Sequence, residues 1–198
     1  MNPFVYPTKS IRRHGPIGYL DYSSYRPWLR DEFEFRCVYC LRREQWGIGV
    51  RDFAIDHFLP VLAQPDADRN YLNLFYSCAT CNLRKGSRRI DDPTAPEIAS
   101  ALTVFETGQI LGTTPAARRL IRVLDLDGPA STEFRQMWIS TIRLAALYDA
   151  PLFCRLLGYP EDIPDLSVLR PPGGNRRPEG IAESAFAKRQ MSELPDAY

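Results

Sequence analysis

Four of the five cysteines stand as two C-x-x-C pairs, CVYC (Cys37 and Cys40) and CATC (Cys78 and Cys81). A pair with this spacing at a tight turn can aim two sulfurs at one ion, and two such turns complete the tetrahedral thiolate shell that Zn2+ prefers. Disulfides are the weaker expectation, because the first residues contain no apolar signal core followed by a small-residue cleavage site. A thioredoxin-like redox role would need one pair in a βα context. Zinc held by four thiolates is coordinatively closed and therefore structural, so chemistry must come from the residues between the pairs. The fifth cysteine, Cys154 in LFCRLLG, falls on an apolar helical face and reads as a small core residue.

The thirty-seven residues between Cys40 and Cys78 are long for a plain zinc ribbon, and they contain FAIDHFLPV, with Asp56 and His57 inside an apolar run. A lone histidine on an apolar strand can satisfy itself with a backbone carbonyl. On a strand, however, adjacent side chains point to opposite faces, so Asp56 and His57 can serve different partners. Imidazole exchanges protons near neutrality and suits a general base.

The ordered set CVYC, IDHFLPV, YLNL and CATCNLRKG resembles the zinc-stabilised branch of the HNH endonucleases, over roughly residues 35 to 89. The layout is also similar to the HNH components of some bacterial phage-defence systems such as Septu. The resemblance implies a ββα-metal core, in which a hairpin and a helix grip one catalytic divalent cation. It implies hydrolysis of phosphodiester bonds in DNA with His57 as base, and a scaffolding role for Asn73, whose amide would bridge loop backbone and orient the His57 strand. Asn70 lacks the Leu that follows Asn73 in the motif. At the last motif position this chain has Asn82 in place of histidine, an H-N-N variant. Asp56 and Asn82 are then the expected ligands of the catalytic cation, and the hard carbonyl oxygen of Asn suits Mg2+ or Mn2+.

Lys85, three residues beyond Asn82 on the expected helix, falls on nearly the same face and could contact a phosphate. Arg84, Arg88 and Arg89 extend the positive charge in RKGSRR, and RPPGGNRRPEG adds three more arginines near the C-terminus. Such contacts track a nucleic-acid backbone without reading bases. The net charge of +1, from 25 basic and 24 acidic residues, neither demands nor excludes a polyanionic partner.

These residues need elements to hold them. YRPWLRDEF reads as a short helix with Pro27 in its first turn. LTVFETGQILG reads as a hairpin about Thr107 and Gly108. TPAARRLIRVLDLDG has helical spacing between Thr114 as N-cap and Gly128 as a stop, STEFRQMWISTIRLAALYD is a longer helix, and PLFCRLLGYP a short third one. The tail after Pro164 reads as an extended segment followed by a short helix. The expected architecture is α+β: a small ββα core with a four-cysteine zinc site inside a mostly helical shell. The expected division is an N-terminal segment (1–34), the nuclease core (35–92) and a helical C-terminal region with a Pro/Gly/Arg-rich tail (93–198), all in one compact unit.

With 198 residues, 44% hydrophobic and 25% charged, the composition is that of an ordinary globular chain. No apolar run approaches the roughly 20 residues of a membrane span, and the expected location is the cytoplasm. Besides DNA, a protein partner such as an ATPase sensor could control the nuclease. Trp138 and Phe153 are candidate contacts for it, though the core is the simpler place for both.

Overall fold

The computed structural model describes residues 2–9, 12–61 and 67–198. At its centre β1 (Phe53–His57) pairs antiparallel with β2 (Leu74–Cys78), in register from Phe53 opposite Cys78 to His57 opposite Leu74. Phe53 and Ile55 are buried on one face of β1. Asp56 is buried on the other, because α2 (Ala79–Lys85) follows β2 directly and folds back across that face. Cys78 is both the last residue of β2 and the N-cap of α2, its Sγ accepting from Cys81 N at 3.4 Å. Gly86, at φ 51°, closes the helix with its N–H on Asn82 O at 3.0 Å.

The free edge of β2 is covered. Val38 N donates to Tyr76 O at 2.9 Å, and Arg12 Nη2 donates to Leu74 O at 2.8 Å. The Arg12 guanidinium lies over the rings of Phe33 and Phe75, at 4.8 and 4.9 Å from their centroids. A strand edge satisfied in this way offers no template for further pairing.

The surrounding helices follow the apolar spacing. In α1 (Arg26–Glu32) Pro27 occupies the first turn and Trp28 and Leu29 are buried. A single turn, α3 (Pro96–Ala99), leads to the hairpin of β3 (Leu102–Val104) and β4 (Ile110–Gly112). Its turn needs Gly108, at φ 78°, where a Cβ would also strike the backbone of Thr132 and Gln136. Thr114 caps α4 (Pro115–Val123) as expected, accepting from Ala117 N at 3.2 Å.

The end of α4 differs from expectation. The helix stops at Val123, Asp125 takes a left-handed φ of 50°, and Gly128 is the N-cap of α5 (Pro129–Tyr148) instead of a stop for α4. Pro129 explains the switch, since its missing N–H and fixed φ suit the first turn of a new helix. Then come α6 (Ala150–Leu157) and, after the tail, α7 (Ala185–Gln190) with Ser184 as its cap.

One apolar core runs from Phe4 to Leu166 through Trp28, Tyr39, Leu74, Leu120 and Ile142. Trp138 of α5 stacks on Trp46 at 4.5 Å and 10°, which docks the long helix onto the cysteine-bearing block. Trp138 and Phe153 are partly buried against this core. Cys154 does not join it and is only half-buried, because α6 turns Leu157 inward instead. Among the described residues no helix is long and apolar enough to cross a membrane.

Candidate metal centre and catalytic site

Cys37 and Cys40 come from a turn stapled by Cys37 N to Arg42 O (2.8 Å) and Leu41 N to Cys37 O (2.9 Å), with Leu41 left-handed at φ 60°. Cys78 and Cys81 come from the β2–α2 junction. All four Sγ atoms lie within 4.8 Å of one another, and Cys40 Sγ is 3.7 Å from Cys78 Sγ. Zinc–sulfur bonds of about 2.3 Å at tetrahedral angles need sulfurs about 3.8 Å apart, so the donor set fits Zn2+. The sulfurs are not disulfide-bonded.

Without a cation the cluster can carry little charge. Hydrogen bonds from Cys37, then Cys40 and Cys81, hold the Cys78 thiol far below its usual range. Burial first of all pushes Cys37 up, and the hydrogen bond with Cys37 first of all pushes Cys81 up. A dication is what would allow all four sulfurs to ionise together. A cavity of about 180 Å3 opens beside Cys40, Cys78 and Cys81, bordered by Arg42, Arg84 and Arg135. These cations face the cysteine cluster, which with Zn2+ on four thiolates would carry net negative charge. The cavity lies at the cysteine end of α2, away from His57.

At the opposite end of the hairpin His57 is half-buried, edge-on to the Tyr22 ring at 4.8 Å. Its Nε2 lies 3.0 Å from Asp68 O and 3.1 Å from Asp68 Oδ1. Both atoms can only accept, so Nε2 carries the hydrogen and the neutral ring keeps its lone pair on Nδ1. Neither Asp68 nor Tyr22 carries a sequence signal for this role, since both lie in segments without periodicity.

The Asn73 amide bridges the loop backbone. Its Oδ1 accepts from Leu59 N at 2.7 Å, and its Nδ2 donates to Leu59 O and Ala67 O at 3.1 and 3.2 Å. These bonds tie the chain leaving β1 to the chain entering β2 and so steady His57. Asn70 does a different job, capping the 3-10 turn Tyr71–Asn73 through Leu72 N.

Asp56 is not placed as an open cation ligand. It is 4% exposed, with Oδ2 accepting from Tyr39 OH at 2.5 Å and Oδ1 from Lys85 Nζ at 3.0 Å. Burial, and then the Asp56 charge, push the Tyr39 phenol well above its usual range, so it stays a donor. Lys85 is wholly buried and also donates to His57 O at 2.7 Å. Its ammonium therefore does not reach the surface as a phosphate contact would, and stands as the counter-ion of Asp56. Asn82, one turn before Lys85 on the same side of α2, is half-buried, and no hydrogen bond of its side chain occurs among the described residues. The described histidine, cysteine and acidic side chains form one group of three or more close enough for a single ion, and it is the four cysteines. In this arrangement the expected catalytic cation would find Asp56 already committed to Tyr39 and Lys85.

Arg84 is also committed elsewhere. Its Nη1 donates to Leu124 O, Asp125 O and Ser131 Oγ, and its Nη2 pairs with Asp125 Oδ2 at 2.8 Å. It clamps α2 to the α4–α5 turn, which no local spacing could show. Arg88 is exposed and folds back onto the end of α2, with Nη2 on Arg84 O at 2.5 Å. Arg89 is exposed. Of the four basic residues expected to contact substrate, Arg88 and Arg89 are the two that are exposed.

The model of the HNH endonuclease family matches residues 37–88, from the first cysteine of the cluster to Arg88. No curated protein and no solved structure matches the chain.

Proposed function

We propose that the chain is a divalent-metal-dependent endonuclease that hydrolyses phosphodiester bonds in DNA. The observation that carries this reading is His57, whose Nε2 is fixed on Asp68 so that Nδ1 is left as a base inside the segment that matches the nuclease family. A base so placed takes a proton from the attacking water, and the Asp68 carboxylate steadies the imidazolium that results. Asn73 holds the loops on either side in register. The four cysteines carry structural zinc and no chemistry.

Mg2+ or Mn2+ is the expected activating ion. Asn82 has the free carbonyl oxygen to contribute to it, and Asp56 would first have to leave Lys85. Plasmid nicking by the purified chain with added Mg2+ tests the whole reading. His57→Ala should fold, keep zinc and bind DNA while cleavage falls at least about 100-fold. Wild-type cleavage by that variant would remove His57 from the mechanism. Asn82→Ala should raise the Mg2+ concentration needed for cleavage, and an unchanged requirement would remove Asn82 as a ligand.

A second reading, an effector subunit of a phage-defence complex that cuts only with a partner such as an ATPase sensor, is favoured by α5. Its outer face exposes Met137, Leu144, Leu147 and Tyr148, an apolar stripe of the kind that marks protein contacts. Cleavage that appears only on adding such a partner would select it. Binding of DNA without cleavage under either condition would leave a zinc-ribbon binding protein.

A further inference from the structure

The hairpin of β3 and β4 has one edge whose backbone bonds are not made. Phe105 N donates to Gln109 O at 2.8 Å and Thr113 N to Ala101 O at 2.9 Å. Between them the register sets Leu102 opposite Gly112, Thr103 opposite Leu111 and Val104 opposite Ile110. Hydrogen-bonded and non-hydrogen-bonded pairs alternate along an antiparallel ladder. Thr103 and Leu111 therefore bond each other, and Ile110 and Gly112 turn their N–H and C=O groups away from β3. Of these, Gly112 O receives Arg118 Nη1 at 3.4 Å. The Ile110 N–H and C=O and the Gly112 N–H have no partner among the described residues, and no third strand joins the sheet there. The β2 edge, by contrast, is closed by Val38 and Arg12.

Between this edge and α4 runs a cavity of about 450 Å3. Ile110 and Leu111 line it from the strand and Pro115 and Ile121 from the helix, while Arg118 and Arg122, one turn apart on α4, add two positive charges. Both arginines are exposed. Arg118 is steadied on Thr113 O at 3.0 Å, and the Arg122 side chain makes no hydrogen bond or ion pair among the described residues. Asp127 is the one acid on the wall. The helix lies under the face of β4 to which Gly112 belongs, since a Cβ there would meet Arg118 N at 2.8 Å. Leu111 is on the opposite face and is 49% exposed.

We propose that this groove takes an extended, acidic segment of a partner protein, which adds to β4 as a third strand. An open strand edge is satisfied by another extended backbone, whose main-chain bonds give affinity while alternate side chains give specificity. Every second side chain of such a segment faces α4, where carboxylates meet Arg118 and Arg122. The intervening side chains lie beside Leu111, where apolar groups fit.

A second copy of this chain is the poorer occupant, because pairing two β4 edges brings the arginines of both copies together. A DNA backbone would reach the arginines but would leave the apolar wall and the Ile110 carbonyl without partners. The groove lies outside residues 37–88, the segment that matches the nuclease family, and neither the docking site nor its test depends on cleavage.

The test uses the full chain and a short fluorescent peptide of alternating Glu and Val, with a peptide of alternating Lys and Val as control. By anisotropy the Glu peptide should bind saturably and the Lys peptide at least about tenfold more weakly. Arg122→Glu changes an exposed side chain that makes no bond in the fold, and should weaken the Glu peptide about tenfold or more. Ile110→Pro removes the outward N–H without touching the bonds to β3 and should weaken it as well. If that variant does not fold, amide exchange on the wild type decides the same point. Ile110 and Gly112 should exchange quickly in the free protein and Leu111 slowly, and the Glu peptide should protect the first two. A Glu peptide that does not bind, or that binds without protecting Ile110 and Gly112, would overturn the proposal. So would protection of those amides by a DNA duplex in EDTA but not by the peptide, or by a higher protein concentration alone, outcomes that give the edge to nucleic acid or to a second copy.

Discussion

The ammonium of Lys85 lies 3.0 Å from Asp56 Oδ1, and neither side chain reaches solvent to any extent. Through this pair and the bond to His57 O, the last turn of α2 is fastened to the last two residues of β1. The ββα unit is therefore locked by a charge pair at the His57 end and by the cysteine cluster at the other.

Breaking the pair from one side should be severe. Lys85→Met leaves the Asp56 carboxylate buried beside Tyr39 alone, and the expected loss is about 3–5 kcal/mol. At roughly 2–4 °C per kcal/mol for a chain of this size, the melting temperature should drop by about 6–20 °C. Asp56→Asn/Lys85→Met, which removes both charges, should recover part of it. A single variant that melts like wild type would show that Lys85 does not stay paired in solution.

The protein should contain one zinc per chain. Cys78→Ser, or prolonged chelation of the wild type, should release zinc and lower the melting temperature or cause aggregation, because structural zinc supplies folding free energy of about 10 kcal/mol in small domains. Elemental analysis and thermal melts measure both effects. Folded protein without zinc would remove the metal centre.

Asp68→Ala keeps the backbone carbonyl that accepts from His57 Nε2 but removes the carboxylate. Cleavage should fall roughly tenfold, less than the hundredfold or more expected for losing the base itself, with DNA affinity and melting temperature unchanged. Equal cleavage rates in the two proteins would mean that the carbonyl alone orients the ring.

Alkali should unfold the protein through its buried phenols. Burial pushes Tyr6, Tyr39 and Tyr71 well above the ordinary tyrosine value of 10.0, with Cys40 adding to the shift at Tyr6, Asp56 at Tyr39 and Glu32 at Tyr71. The folded state then keeps protons that the unfolded chain has lost. The sign follows: stability from these groups is complete below pH 10 and declines as pH rises above it, by up to about 1.4 kcal/mol per pH unit for each phenol. Urea melts of the zinc-loaded protein between pH 9 and about 11 should show the decline. A flat profile would mean that the phenols become accessible in the native state.

The sequence by itself determined the features whose partners are close along the chain. The C-x-x-C pairs, the strand through Asp56 and His57, the Thr114 cap, the turn at Gly108 and the order hairpin, cysteine, helix all rest on spacings of one to four residues, which backbone geometry converts directly into shape. The partner of a long charged side chain is not so constrained. Lys85, Arg84 and Arg88 look alike in RKGSRR, yet one is buried on Asp56, one spans to Asp125 across 41 residues, and one stays in water. Only the tertiary structure decided among them, because each outcome depends on which surface α2 covers and what the chain beyond it places within reach. The same holds for Asp68 at the His57 ring and for Arg176, whose N–H donates to Gly15 O. Those relationships arise from loops and a tail with no periodicity, positioned by a core that forms only once the whole chain has folded around the cysteine block.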